Sequence, residues 1–172
     1  MTWIVLWLYV VALAVWLGET VFFSFAVAPR LFGNLPVEEA GRAIGLIFPA
    51  YYMVGCACGA VAAGAAMVLR RWSANAGQWS IAALVSLVAL AASLYAGIAI
   101  QPRASALRGE LHGAAATPAA RQEFDELHTR AVQLNAAVLI CTLALSGLLA
   151  AQLAESVRGQ RRLSRYGSGV QL

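Results

Sequence analysis

At 172 residues, with 61% hydrophobic and 12% charged side chains and a formal net charge of +4, the chain has room for one domain. It carries about half the charge of a soluble globular protein, which is near 25%. That composition excludes an ordinary soluble fold and makes lipid the main partner for its apolar surface. All twelve cationic residues are arginines, and a short C-terminal tail is the one basic patch, which argues against a nucleic-acid partner.

Crossing a ~30 Å hydrocarbon core takes roughly 20 apolar residues. Four stretches meet or nearly meet that length: 3–28, 50–69, 79–100 and 131–153. The alternating ten-residue segments of a membrane barrel are absent, and helices satisfy their own backbone polar groups in lipid. The predicted fold is therefore an all-α membrane protein. It is a four-transmembrane-helix bundle with an interfacial or kinked helix before the second span. Residues 1–157 form the transmembrane domain. Residues 158–172 form a basic tail, expected to be disordered from its Gly and Ser content and to lie against anionic headgroups.

The first apolar run has no Lys or Arg before it and exceeds the 7–15 residues of a signal-peptide core. It is read as a retained span, although Ala26-Val27-Ala28 looks like a cleavage site. Pro29 is expected to end its helix, and APRLFGNLP at 28–36 reads as a turn. Pro36 suits a first helical position, and Glu38 and Glu39 favour a helix N-terminus, which predicts a helix over 37–48. Pro49 marks a kink at the start of span two, with Tyr51 and Tyr52 at interfacial level. Gly41 and Gly45, then Gly55 and Gly59, have the GxxxG spacing of close helix packing.

In span three, Ser86, Ser93, Gly97 and Gln101 fall within about 80° of one another on a helix. The helix is expected to stop before Pro102, leaving 103–120 as a loop or a partly helical cap. From Ala119 a helical pattern resumes. It carries Asp125, His128, Asn135, Thr142 and Ser146 within about 100° of arc. Polar groups in membrane helices face the bundle interior or a water cavity, so this stripe should look inward.

Four spans put both termini on one side with the loop between spans two and three. Six arginines lie on each side, so the positive-inside count is a tie. The Arg70-Arg71 pair in a very short loop and the crowded tail favour a multi-pass inner-membrane protein with both termini cytoplasmic.

The polar and turn-forming clusters gather at the other end. The run WLGETVFFSFAVAPRLF, then GRAIGLIFPAYY, QPR and FDELHTRAVQLN, in that order, resembles the transmembrane-protein-205-like family over about residues 13–153. The resemblance implies a small four-span fold. It also implies, from one member's link to platinum-drug resistance and trafficking, a part for sulfur residues, here Cys56, Cys58, Cys141, Met53 and Met67, and for GxxxG spacing.

Glu19 is the one formal charge deep in a predicted span. Such a charge costs roughly 2.5–3.5 kcal/mol on insertion scales, so a structural ion pair with an arginine such as Arg42, Arg103 or Arg130, a hydrogen bond or a bound proton is expected first, and a proton- or cation-binding role second. His128 is read first as hydrogen-bonded to Asp125, and second as a metal or haem ligand or a proton relay. With neither HxxxH nor HExxH, a catalytic zinc is not indicated.

The candidate ligand or ion site is Glu19, Arg42, Arg103, Asp125, His128 and Asn135. A metal set would draw on His128, Cys56 and Cys58. A metal ion or a haem is compatible with the sequence, and neither is required by it. Three readings stand. The first is a binding or transport protein for a cation, metal or small polar solute, acting as a homo-oligomer. The second is a redox or haem-linked membrane enzyme. The third is a scaffold for another membrane protein. A non-enzymatic role is favoured.

Overall fold

The computed structural model describes residues 2–111 and 117–167, with side chains as far as residue 157. Four helices are long and apolar enough to cross a membrane. They are α1 (Thr2–Asn34), α2 (Val37–Trp72), α3 (Ala76–Leu111) and α4 (Pro118–Gly167). They are joined at 35–36, 73–75 and 112–117. Connections this short force each helix to run antiparallel to the one before it. α1 packs on α2 and α4, and α3 packs on α2 and α4, so the four form a ring in chain order. Large apolar side chains point outward along its length, including Trp3, Phe22, Phe25, Met53, Leu84, Ile98 and Ile140, each more than 60% exposed. The protein is an integral, multi-pass membrane protein.

Two expected helix ends are corrected. α1 does not stop at Pro29, and α3 does not stop before Pro102. Each passes its proline by first widening into a π-helical turn, Phe23–Val27 in α1 and Ala96–Ile100 in α3. Within these turns Ala28 N–H bonds to Phe23 O, and Gln101 N–H bonds to Ala96 O. A proline inside a helix lacks one donor and presses its ring on the carbonyl four residues back. A wider turn just before it changes which carbonyls need a donor, so the helix goes on. The segment from Gln101 to Leu111 is therefore helical, so that of the two readings for 103–120, a loop or a partly helical cap, the helical one applies as far as Leu111. α2 likewise contains Pro49 and is continuous from Val37.

The first three helices hold 33, 36 and 36 residues, about 50 Å each at 1.5 Å per residue, against a ~30 Å core. The excess lies at one end. Residues 29–34, 37–49, 101–111 and 118–130 all extend beyond the apolar spans around the 35–36 and 112–117 connections.

The opposite end, which holds the 73–75 turn, is tightly packed. Tyr9, Leu13, Ala62, Ala66, Leu69, Trp79, Ala82 and Leu145 form one buried cluster, with the Tyr9 and Trp79 rings edge to face at 5.3 Å. Next to it Trp16, Ala89 and Val138 form a second cluster, packed by Cys58, Leu90 and Cys141. The second GxxxG pair serves this packing. A methyl group on Gly59 would lie 2.8 Å from the Trp16 ring and 3.2 Å from Leu90. The backbone of α4 is helical to Gly167. The side chains of 158–167 and all of 168–172 lie outside the described residues, and with them the expectation of a disordered tail.

Gly59→Ala should destabilise the bundle by about 1–3 kcal/mol, the usual cost of overpacking. Gly64→Ala, where nothing lies within 4 Å of the new methyl group, should be neutral or stabilising. Thermal unfolding of the two variants in the same detergent checks the contrast.

Candidate functional site

The helix extensions and the upper spans enclose a cavity of about 630 Å³, within the 300–1,000 Å³ range of small-molecule sites. Its walls are mainly apolar and aromatic. Phe23 meets Phe48 at 5.3 Å and Tyr51 at 5.0 Å, Phe48 meets Tyr52 at 5.5 Å, and Tyr51 meets Tyr52 at 5.3 Å. Phe124, Ile44, Ile100 and Val132 add to the apolar surface. Both π-helical turns border it, contributing Phe23 and Ser24 from α1 and Ile100 from α3. The local widening turns these side chains away from the face a regular helix would give them.

Asn135 stands at the floor. The Tyr51 hydroxyl donates to Asn135 Oδ1, and Asn135 Nδ2 donates to Ser24 Oγ at 2.9 Å. One amide therefore bridges α2, α4 and α1 at the base of the cavity. A polar side chain in a membrane helix needs such partners.

Arg108 supplies a half-buried cation to the wall. Its guanidinium carbon lies 5.6 Å from the centre of the Phe124 ring, within cation–π range. Its side chain lies along Gly41 and Gly45, and a methyl group on Gly45 would overlap the guanidinium. The first GxxxG pair thus makes room for an arginine side chain rather than for a helix backbone.

Glu38, Arg121, Asp125 and His128 also line the cavity and are exposed at its rim. His128 stacks on Phe124, with centroids 6.3 Å apart and planes 11° apart. That contact stands in place of the expected bond to Asp125. Outside the cavity, Arg103 of α3 holds Glu123 of α4 through two hydrogen bonds of 2.7 and 3.0 Å, both side chains being exposed. Arg130 lies 4.0 Å from Glu126.

Of the six residues singled out from the sequence, Asp125, His128 and Asn135 line the large cavity. Arg42 is exposed and Arg103 is engaged with Glu123, and neither belongs to the lining. Glu19 lies deeper, in a separate small cavity that Asn135 also borders. The expected ion pair of Glu19 is corrected: among the described residues none of Arg42, Arg103 and Arg130 reaches it. Too few residues separate Glu19 from the apolar middle of α1 for these arginines, all on the charged extensions, to approach it.

Among the described residues no three of His, Cys, Asp and Glu gather as a metal set. Cys58 packs into the tight clusters below the cavity, Cys56 is half-buried, and His128 is at the rim. Met53 and Met67 face outward, 68% and 48% exposed. His112 lies outside the described residues.

Sequence reasoning missed Arg108 and Phe124. Arg108 lies in the segment read as a loop or a partly helical cap, where no face is defined. The signal that would have found both is the continuity of the helices past their prolines.

A family model described as a domain of unknown function, DUF4149, matches residues 11–113. The match gives no support to the transmembrane-protein-205-like resemblance in particular. No curated protein and no solved structure matches the chain.

Tyr51→Phe should cost about 1 kcal/mol, because it leaves the Asn135 carbonyl without its donor. Tyr51→Phe combined with Asn135→Leu should cost less than the sum of the two single changes. A double-mutant cycle on thermal or steric-trap unfolding measures that coupling.

Proposed function

The chain belongs to the DUF4149 family, and we propose that it is a membrane-embedded binding protein for an amphipathic small molecule. The observation that carries this reading is the composition of the 630 Å³ cavity: an aromatic and aliphatic body, one half-buried guanidinium, and a charged rim. An apolar or aromatic ligand body would lie against Phe23, Phe48, Tyr51 and Tyr52. A head group rich in hydrogen-bond acceptors would point toward Arg108, whose planar fork suits carboxylate, sulfonate or phosphate oxygens. Such a site combines a few placed polar groups with a mainly apolar wall, the usual build of a small-molecule pocket.

The position of the cavity supports the same ligand class. Its floor is formed by residues at the end of the apolar spans and its walls by helix extensions that project past them, so it sits at the level of the membrane–water interface. Amphipathic molecules concentrate there. The lining favours this class over the cation, metal or small polar solute expected from the sequence. A metal reading is further weakened by the scatter of His128, Cys56 and Cys58 over three places.

With both termini cytoplasmic, as the Arg70-Arg71 turn and the basic tail favour, the cavity faces the extracytoplasmic side. A reporter active only in the cytoplasm, fused after Leu172, should therefore be active. An inactive fusion, with an active one placed in the 112–117 connection, would reverse the orientation.

Binding is tested in lipid nanodiscs with three probes sharing one ring system: 2-naphthalenesulfonate, 2-naphthalenemethanol and 2-naphthylmethylammonium. The sulfonate should bind tightest and the ammonium weakest. Arg108→Gln should weaken sulfonate binding about tenfold, in the range of a lost charged hydrogen bond, and leave the alcohol nearly unchanged. Ala104→Trp, which fills the cavity from α3, should weaken the sulfonate and the alcohol together. Equal binding of all three probes by the wild type and by Ala104→Trp would show partition into lipid and sink the reading.

A further inference from the structure

Directly beneath the floor of the large cavity is a second one of about 10 Å³, at the threshold volume for a single water molecule. Glu19 of α1 is in its wall, with Trp16 from the same helix, Ser93 from α3, and Tyr51 and Asn135, which border both cavities. The carboxyl is held there by shape. Gly55 of α2 leaves the space it occupies, since a methyl group at that position would lie 2.9 Å from Glu19 Oε1 and 3.3 Å from Trp16 Nε1. A charge in the middle of a span costs roughly 2.5–3.5 kcal/mol, and among the described residues no arginine lies within ion-pair range of Glu19. What remains to neutralise a carboxylate in this place is a proton.

We propose that Glu19 is a proton-binding site coupled to ligand occupancy of the large cavity. This rests on the reading of that cavity as a binding site. The link is the shared wall. Asn135 is fixed by its bonds to Tyr51 and Ser24 and borders both cavities together with Tyr51, so a ligand body above and the Glu19 carboxyl below meet the same two side chains. Gly45, beside the Arg108 guanidinium, and Gly55, beside Glu19, are ten residues apart on α2, roughly 15 Å at 1.5 Å per residue, and two negative groups at that separation still repel in a poorly solvated interior. In the fraction of the protein whose Glu19 is ionised, binding an anion therefore draws a proton from solvent onto a carboxylate oxygen, forming its O–H bond while no other covalent bond of the protein changes. By reciprocity the anion binds more tightly as the pH falls.

The other titratable groups near Glu19 are all on α2: Tyr51 and Tyr52 in the wall of the small cavity, with Cys56 and Cys58 further along the same helix. α3 and α4 present Ser93 and Asn135 there, which do not titrate. Around the large cavity stand Glu38, Arg108, Arg121, Asp125 and His128, of which the His128 imidazole is the competing source of any pH effect.

Two measurements on the full chain in nanodiscs test the proposal. In the ligand-free protein, pH-difference infrared spectra should contain the carbonyl stretch of a protonated carboxylic acid, lost in Glu19→Gln. If the spectra of the wild type and Glu19→Gln are the same, the proposal fails whatever the cavity binds. In weakly buffered solution, 2-naphthalenesulfonate, which does not itself titrate in this range, should bind with proton uptake. Its affinity should rise at least about fivefold from pH 8 to pH 6, the lower end of typical coupling between linked sites. Glu19→Gln should bind the probe without that uptake, and His128→Gln should retain it. Uptake that persists in Glu19→Gln and disappears in His128→Gln assigns the proton to the rim and overturns the proposal. Probe binding without any uptake overturns the proposal and leaves the binding site standing. Failure of the probe to bind overturns the binding site and the coupling with it.

Discussion

A helix in lipid has no water to satisfy its backbone, and each unsatisfied group there costs several kcal/mol. The architecture of this protein follows from how three prolines meet that constraint. Pro29 and Pro102 sit where the apolar spans run out, each followed by an arginine, and each preceded by a π-helical turn that lets the helix continue. Pro49 is carried inside α2, with Gly45 one turn before it. Had these helices ended at their prolines, the bundle would be a short plug about as thick as the bilayer. Because they continue, four helix ends project from the same side and enclose a volume that the spans alone could not.

The two ends of the bundle differ because their side chains differ in size. Around the 73–75 turn, α2 and α3 meet through alanines, and Tyr9, Trp16 and Trp79 fill what space is left. At the other end, Phe23, Phe48, Tyr51, Tyr52 and Phe124 hold the helices apart. Glycines there accommodate side chains: Gly45 admits Arg108, and Gly97 lies against Tyr52, where a methyl group would come within 3.0 Å of its Cβ. Large planar rings on separated helices leave gaps that small residues would have closed. The cavity is the geometric consequence, and Asn135 is the polar tie that keeps its floor together.

Several features of the candidate site were legible from residue spacing. Asn135 and Thr142 fall on one face of α4, and both turn inward; Thr142 is fully buried. Ser86 and Ser93 of α3 do the same. Asp125 and His128 belong to the same stripe, yet they are exposed, because beyond the apolar span the inward face of α4 borders an open cavity rather than a packed core. Arg42 and Arg103 were plausible partners for Glu19 by sign of charge alone. Spacing along one helix says nothing of which depth an arginine on another helix reaches, and these arginines stay on the extensions while Glu19 stays in the span.

The sequence by itself determined the number of spans, their helical nature and the polarity of the bundle. These properties follow from runs of apolar residues and from the composition of the connections, which act locally. Tertiary structure alone decided that the prolines are crossed rather than obeyed, that Arg108 and Phe124 join the site, and that Glu19 is separated from every arginine considered for it. Each of these depends on a helix being supported from the side by its neighbours: a lone segment containing proline would end, whereas one packed between two others keeps its direction and carries its side chains to a place that no local pattern records.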